Sequence, residues 1–544
     1  MRVYRLIRLF LAIAMFGAAM PAMAFCGFYA GRADASLFNQ ASQVVVARDG
    51  QRTVLSMMND YNGPLADFVL VVPTPVVLKQ GQVRIADKAV FEHLDAYSSP
   101  RLAEYYDNDP CVIDFPWGYP PPPPYALRAA APTAMAPMPM EKMARDQALG
   151  VTVEARYTLE EYDIVSLSAT QSTGLETWLR ENGYKIPHGA RDALRPYINQ
   201  GMKFFVAKVN LKEQAKTGYS TLRPLQFAFE SEKFMLPMRL GMLNAAPGQP
   251  QDLIVYLMTK NGRVESSNYR TAKLPSNVNI PEFVKPKFQD FYKAMFDKST
   301  RTDDYRTVFT EYFWNMNWCD PCAAQPLSHE ELLKAGVFWL DGDAAQNFGA
   351  MQNPGQSPMP RISRFGGGQP VMLTRLHLRY TPRTFPEDLM FTQTSDQENW
   401  QARYVIQTPY GGSIAECTER ANKMNCEAMC GERVSSVLDQ IKANGWGAEQ
   451  YHGQSRAQLN GQCVSACRES KDRGMEAALR YYNKDLPQRI AGEKQTLAQL
   501  TGWSLHDIDA IPGAMRYGAV DAGKPNGDVA ASETWWQKLF RSGQ

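Results

Sequence analysis

The chain has 544 residues, of which 44% are hydrophobic and 21% charged, and its formal net charge is +2. This composition is typical of a globular protein with a large core, and the length predicts two to four domains. The small net charge gives no strongly basic surface of the kind that binds nucleic acid, so we expect no nucleic-acid partner.

The N-terminus has the pattern of a signal peptide. Three arginines precede the apolar stretch Leu9–Met20, and residues 22–24 (Ala-Met-Ala) fit a cleavage site. Residues 1–24 are therefore predicted to be removed from an exported protein, periplasmic or extracellular. The alternative is an uncleaved anchor, although the apolar run is short for a span. Later stretches are less apolar, so we expect no transmembrane span in the mature chain.

Export also bears on the cysteines. In an oxidising compartment most of them should be paired. The chain has nine, at Cys26, Cys111, Cys319, Cys322, Cys417, Cys426, Cys430, Cys463 and Cys467.

Residues 25–114 are predicted to form the first part of the protein's main core, rich in strands with some helix. Ser42–Ala47 and Thr53–Met58 are β-prone runs separated by an Asp-Gly pair, which is a strong hairpin signal. A helix is predicted at Lys88–Tyr97, because its apolar residues recur at helical spacing.

The end of this first part contains another predicted helix and a cysteine. The helix is placed at Arg101–Tyr106, since Pro100 suits the first turn of a helix. Cys111 follows, and we expect it to bond Cys26 and so close a loop across this part of the core.

Residues 115–145 differ in composition, with five consecutive prolines at Pro120–Pro124 and many alanines. Such an insertion is polyproline-like or disordered and forms no packed core. Its closely spaced thioethers are weak copper(I) candidates, because soft sulfur suits a soft ion. A low-complexity loop in which methionine is filler is the simpler interpretation. The methionines are Met135, Met138, Met140 and Met143.

Residues 146–412 are predicted to complete the core. Strands and helices alternate here without a regular βαβ repeat, which favours an α+β fold with a mainly antiparallel β core and interspersed helices. Ser328 and Glu331 form a capping box at the start of a short helix. Val371–Tyr380 alternates apolar and polar residues, which predicts a half-buried strand.

Several stretches of the chain, from residue 25 to about 412, resemble a bacterial exported family known as domain of unknown function 2330. The resemblance implies no known activity, cofactor or site residue. Residues 496–513 are also similar to this family, whereas the proline-rich segment and the cysteines after 417 look like additions of this chain. The stretches are Cys26–Tyr29, Ala41–Val44, Leu94–Tyr97, Gly174–Leu179, Gly201–Val209, Arg223–Phe227, Lys273–Asn277, Trp318–Cys322 and Thr374–His377.

Residues 413–513 are predicted to be a helical region with a disulfide-linked hairpin. It contains two pairs of cysteines spaced four residues apart, and each pair lies on one helical face. A zinc site is less favoured, because zinc ligands more often come in CxxC pairs. Two antiparallel helices would form the bonds Cys426–Cys467 and Cys430–Cys463. This pairing leaves Cys417 as the odd cysteine.

Residues 514–544 are predicted to be a flexible tail. It ends in the aromatic and basic stretch Trp535–Arg541, which suits a weak contact with the envelope surface or local packing. A protein partner is the other open possibility, and the sequence identifies none.

The stretch Trp318–Cys322 is a CxxC sequence with two interpretations. Cys319 and Cys322 are either a thiol–disulfide exchange pair or a structural disulfide. Exchange needs Cys319 at a helix N-terminus, where the helix dipole favours the thiolate. Pro326 and the helix start at Ser328 interrupt the helix that should follow, and this favours the structural disulfide.

The sequence therefore favours an exported, disulfide-stabilised protein with a non-enzymatic binding or envelope-structural role. The alternative is a thiol–disulfide oxidoreductase, or its redox partner, that uses Cys319 and Cys322. Phosphate-loop, Gly-x-Ser-x-Gly and HExxH patterns are missing from the sequence, and its six histidines are far apart. We expect no cofactor.

Overall fold

The structure is a computed structural model. It describes residues 28–29, 38–62, 69–112, 150–182, 189–217, 222–244, 250–318, 325–340, 371–444 and 453–514. These residues divide into two compact units. Unit 1 takes the described residues up to Arg101, from 150 to Ser276 and from Ser299 to Ala402. Unit 2 takes 102–112, Asn277–Lys298 and the described residues from Arg403 onward.

Strands are numbered here in chain order within the described residues. They are β1 (Phe28–Tyr29), β2 (Phe38–Asp49), β3 (Arg52–Asn62), β4 (Val69–Thr74), β5 (Val83–Ile85), β6 (Arg101–Tyr106), β7 (Val151–Leu159), β8 (Tyr162–Ala169), β9 (Lys203–Val209), β10 (Leu225–Glu230), β11 (Met235–Leu236), β12 (Gln251–Thr259), β13 (Val264–Ser266), β14 (Arg270–Lys273), β15 (Val278–Asn279), β16 (Thr307–Asn315), β17 (Met372–Tyr380), β18 (Leu389–Gln393), β19 (Trp400–Gln401) and β20 (Arg403–Thr408).

Helices are numbered in the same way. They are α1 (Lys88–Ser98), α2 (Ser172–Glu181), α3 (Ala190–Asn199), α4 (Leu211–Thr217), α5 (Phe288–Thr302), α6 (His329–Lys334), α7 (Ile414–Lys423), α8 (Cys426–Asn444), α9 (Arg456–Arg480), α10 (Leu486–Thr501) and α11 (Leu505–Asp509), with a π-helical segment at Tyr481–Asp485 between α9 and α10. Short 3-10 helices lie at Gln80–Gln82, Gly241–Asn244 and Glu282–Lys287.

Unit 1 is built on a large mixed sheet. Its strand order is β14-β16-β17-β12-β2-β3-β10-β5, with β19 also paired to β16. Most neighbours are antiparallel, and β2·β12 and β14·β16 are parallel. A second sheet, β1-β4-β9-β8-β7, and a three-stranded sheet, β11-β18-β13, complete the unit. The predicted α+β fold with mainly antiparallel sheets is confirmed.

The first hairpin forms where the sequence predicts it. Strands β2 and β3 pair antiparallel up to Asp49 and Arg52, which leaves a two-residue turn. Gly50 occupies that turn with φ of 59°, a left-handed conformation that glycine adopts without steric cost. Because the turn fixes the register, Val44 and Val46 face one side of the sheet and Val45 and Ala47 the other.

Strand β17 is more buried than the sequence predicts. The half-buried prediction for Val371–Tyr380 is wrong, since side chains on both faces are buried. Leu376 and Leu378 pack in one apolar cluster, and Leu373 packs in another on the opposite face. The polar residues of this strand therefore lie inside the unit, where their charges need partners.

Helix α1 covers the second of these faces, and its predicted position is confirmed. Asp87 caps it by accepting a hydrogen bond from the Ala89 amide at 3.0 Å. Phe91 and Leu94, with Tyr97, fill the apolar cluster under the helix. This packing sets Asp95, one position after Leu94, at the border of the cluster.

The helix predicted at Arg101–Tyr106 is instead strand β6. Ser99 is extended, with ψ of 148°, but the residue before Pro100 would be extended at the cap of a helix as well as at the start of a strand. The strand pairs with β20, and the Asp107 amide continues the ladder to the Thr408 carbonyl at 2.9 Å. Tertiary pairing thus overrides the weak helical start signal of Pro100.

Unit 2 combines the sheet β15-β20-β6 with helices α7 to α11. Helices α8 and α9 form the predicted hairpin, and the predicted bonds Cys426–Cys467 and Cys430–Cys463 are both confirmed. The four cysteines are buried with Val434 and Leu459 in one apolar cluster. The disulfide-linked helical C-terminal region of the predicted fold is therefore present.

The predicted pairing of Cys111 is wrong. Cys111 bonds Cys417, which the sequence analysis left as the odd cysteine, and does not bond Cys26. Asp109 accepts a hydrogen bond from the Cys111 amide at 2.8 Å and pairs with Arg420 of α7 at 2.6 Å. These contacts bring the end of β6 against α7. The two cysteines are 306 positions apart, and no local sequence pattern indicates that they meet.

Among the helices in the described ranges, none is both long and apolar enough to cross a membrane.

Candidate functional site

Four charged or ionisable side chains of unit 1 form one cluster, which we call the buried charged cluster. Its members are Asp95, Glu311, Arg375 and His377. Arg375 and His377 lie two positions apart on β17 and so project to the same face, the one that α1 covers. Glu311 comes from β16 and Asp95 from α1.

A β-bulge places Glu311 in this cluster. Thr310 pairs with Leu376, whereas Tyr312 pairs with Arg375, so Glu311 is the extra residue. Without the bulge, alternation would put Glu311 on the face opposite to Tyr312. With it, the carboxylate of Glu311 reaches the same face as Arg375.

The contacts of the cluster are short and directional. Arg375 Nε donates to Glu311 Oε2 at 2.5 Å, and His377 Nδ1 lies 2.6 Å from Glu311 Oε1. Arg375 Nη1 donates to Asp95 Oδ1 at 2.6 Å. Arg375 therefore bridges two carboxylates, and Glu311 uses both of its oxygens.

Hydroxyl groups surround the arginine. The Tyr256 hydroxyl donates to Asp95 Oδ1 at 3.2 Å, and its ring lies 5.3 Å from the Arg375 guanidinium carbon. Ser99 Oγ accepts from Arg375 Nη1 at 3.0 Å. Burial raises the pKa of Tyr256 well above its usual range, so this hydroxyl stays protonated as a donor.

The cluster runs from the interior to the surface. The side chain of Glu311 is 0% exposed and that of Arg375 5%, whereas that of Asp95 is 44% exposed. Solvent or a ligand therefore reaches the cluster at Asp95. Because the buried charges are paired, the arrangement suits holding a fixed surface carboxylate more than moving a proton.

Three of the stretches that carry the family resemblance meet here. Asp95 comes from Leu94–Tyr97, and Arg375 and His377 come from Thr374–His377. The Tyr256 hydroxyl also contacts Gln43 Oε1, from the stretch at residues 41–44, at 3.4 Å. These stretches are far apart in sequence and share one site in the fold.

Sequence reasoning missed most of this site. It noted only that the histidines are far apart in sequence, and it did not select Glu311, Arg375 or His377 as site residues. A signal was present in Thr374–His377, where two basic residues alternate within an apolar strand. The bulge at Glu311 had no comparable signal.

Most of the residues selected from the sequence lie outside the described residues. They are Cys26, Cys319, Cys322, Met135, Met138, Met140 and Met143. In the chain that is described, no group of three or more His, Cys, Asp or Glu side chains could hold a metal ion.

The chain around the CxxC sequence is described on both sides. Strand β16 ends at Asn315, and the next described helix, α6, begins at His329. Ser328 caps α6, and Ser328 and Glu331 form the predicted capping box. Cys319 therefore does not precede α6 directly.

A model of the family DUF2330, described as an uncharacterized protein conserved in bacteria, matches residues 20–392. The chain belongs to the DUF2330 family. No curated protein and no solved structure matches it. All members of the buried charged cluster lie inside the DUF2330 match, whereas Cys417 and the α8–α9 hairpin follow its last residue.

Proposed function

We propose that this protein is exported and acts by binding, or as a structural part of the envelope, and not by catalysis. The observation that carries the proposal is the internal pairing of the buried charged cluster. Glu311 has both oxygens engaged and Arg375 bridges it to Asp95, so the buried groups serve each other. Asp95 is the member left to meet a partner at the surface.

Export is supported by the disulfides and by the N-terminal sequence. Three disulfides lie in the described residues, and such bonds persist in oxidising compartments. The basic, apolar and Ala-Met-Ala order of residues 1–24 fits secretion.

The export proposal is tested by expressing the full chain in a bacterial cell and fractionating it. We expect an envelope or secreted product that begins at Phe25, with Cys111–Cys417 and both hairpin bonds found by non-reducing peptide mapping. A control with Arg2, Arg5 and Arg8 changed to glutamate should stay in the cytoplasm. A cytoplasmic native chain with free thiols would contradict export.

The binding role is tested against thiol–disulfide exchange, the competing function. The purified protein is assayed for insulin reduction beside a Cys319→Ser/Cys322→Ser variant, and the reduction potential of the pair is measured. We expect no activity in either protein and a potential below about −300 mV, as for structural disulfides. Activity that the double variant loses would favour the oxidoreductase.

A further inference from the structure

A second group of ionisable side chains lies in unit 2, apart from the buried charged cluster. Asp107 directly follows β6. Its carboxylate accepts hydrogen bonds from both terminal nitrogens of Arg489, which lies on α10, at 2.8 and 2.7 Å. It also accepts hydrogen bonds from the Tyr481 hydroxyl and from Gln407 Nε2, the latter at 2.9 Å. This clamp joins the end of β6 to β20, the π-helical segment and α10.

The π-helical segment contributes to the clamp by its geometry. A π-helical turn is closed by hydrogen bonds five residues apart and so contains one residue more than an α-helical turn. Tyr481 contacts Asp107, and the adjacent Tyr482 is buried in the apolar cluster around Cys111 and Cys417. The clamp therefore lies beside the disulfide that joins β6 to α7.

A second carboxylate shares the same arginine. Glu493 is one helical turn after Arg489 on α10, and its Oε1 lies 3.5 Å from Arg489 Nε. Its side chain is 6% exposed, and Oε1 has no hydrogen-bond partner within the described residues. One guanidinium thus faces a half-buried carboxyl group, Asp107, and a buried one, Glu493, so the three side chains carry a net charge of −1 unless a carboxyl group holds a proton.

We propose that Glu493 is a proton-sensing residue: it is protonated when the clamp between β6 and α10 is closed, and its deprotonation loosens α10. The bidentate contact of Asp107 with Arg489, and its further donors Tyr481 and Gln407, make Asp107 the carboxylate that stays ionised. Glu493, without such donors, is the one that takes the proton.

The electrostatics agree with this assignment. Burial is the main cause that raises the pKa of Glu493, to about 7, with Arg489 opposing it and Asp107 adding to it. The hydrogen bonds from Arg489, Tyr481 and Gln407 outweigh burial and lower the pKa of Asp107. The other titratable residues that helical elements bring against α10 are Tyr482, Lys484 and Asp485 of the π-helical segment and His506, Asp507 and Asp509 of α11, where Asp509 pairs with Lys494 at 2.6 Å. Helix α5 adds Lys298, whose ammonium group donates to the Gln499 carbonyl of α10.

The protonation is measured by infrared difference spectroscopy of the full chain between pH 5 and pH 9. We expect a protonated-carboxyl band that disappears with a midpoint near pH 7 and is missing in Glu493→Gln. The matched control Glu476→Gln removes an exposed acid from α9 and should keep the band. A wild-type protein with no protonated carboxyl group at pH 6 would overturn the proposal.

The loosening is measured by amide hydrogen exchange of α10 in the wild-type protein, so it does not depend on a variant that folds. Protection of α10, corrected for intrinsic exchange, should fall by up to about tenfold per pH unit from about pH 4.5, the usual pKa of a glutamate, to the midpoint near pH 7, and should level off above it. In Glu493→Gln it should stay constant. If Glu493 titrates while the protection of α10 does not change, deprotonation does not loosen α10 and the proposal is wrong.

Discussion

At the scale of residues, Glu311 shows why a buried charge depends on its partners. It is fully buried, and its two oxygens satisfy Arg375 and His377. Removing one member of a buried ion pair leaves an uncompensated charge, which costs about 3–5 kcal/mol. The pairing therefore makes Glu311 a residue on which the packing of β16, β17 and α1 depends.

We predict that Glu311→Gln lowers the free energy of unfolding by about 3 kcal/mol or more, because the guanidinium of Arg375 then faces a neutral amide. The measurement is urea denaturation followed by fluorescence. The matched control is Glu330→Gln on α6, whose pair with Lys334 is exposed to solvent and should contribute little to stability. Equal losses in both variants would contradict the role given to Glu311.

The same residues mark the limit of prediction from sequence. Arg375 and His377 alternate with apolar neighbours. In a sheet that has one face on the core and the other in solvent, such a pattern places the charged side chains on the solvent face. In this fold α1 covers that face, so the charges are buried and paired. Glu311 joins them through a bulge, which depends on the register of β16 against β17 and not on any local pattern.

At the scale of elements, sequence signals were reliable where an element and its hydrogen-bond partners lie within one short stretch of the chain. The β2–β3 turn, helix α1 and the capping box of α6 all follow from residues within a few positions of each other. Strand β6 does not, because its backbone partners lie on β20 about 300 residues later in the chain. A helix of six residues competes poorly with such a ladder.

Helix α6 offers a pH-dependent test at this scale. Glu331 Oε1 lies 2.7 Å from His93 Nδ1, and Oε2 accepts from the Ser328 amide at 2.8 Å. The contact with His93 is the main cause that lowers the pKa of Glu331, to about 2. Because the pKa is lowered in the folded state, its contribution to stability is present above about pH 4.5 and is lost as the pH falls towards 2.

We predict that His93→Ala raises the pKa of Glu331 towards its usual value, measured by carbon-13 NMR of the side-chain carboxyl. Ser328→Ala should raise it less, since it removes only the hydroxyl and leaves the Ser328 amide as a donor to Glu331, and should cost about 1 kcal/mol as a lost cap. The control carboxyl is Glu330, one position away and exposed. A pKa that stays near 2 in His93→Ala would show that another group holds the carboxylate.

At the scale of the whole molecule, the disulfides differ in what they constrain. The bond Cys430–Cys463 closes 33 residues within one hairpin, whereas Cys111–Cys417 joins residues 306 apart. The hairpin bonds could be predicted, because the cysteines of each pair are four residues apart and so lie on one face of a helix. The long bond could not, because it depends on β6 pairing with β20 and on Asp109 meeting Arg420.

The loop lengths give a quantitative prediction. In the chain-entropy model, a bond stabilises the fold by restricting the unfolded chain, by about 6 kcal/mol for 306 residues and about 4 kcal/mol for 33 residues, as upper estimates. Cys111→Ser/Cys417→Ser should therefore lower the free energy of unfolding more than Cys430→Ser/Cys463→Ser, whose hairpin keeps the outer bond Cys426–Cys467. Double variants avoid unpaired thiols, and urea denaturation of each is compared with the wild-type protein. The reverse order of losses would mean that native packing around the hairpin, and not restriction of the unfolded chain, sets the contribution of these bonds.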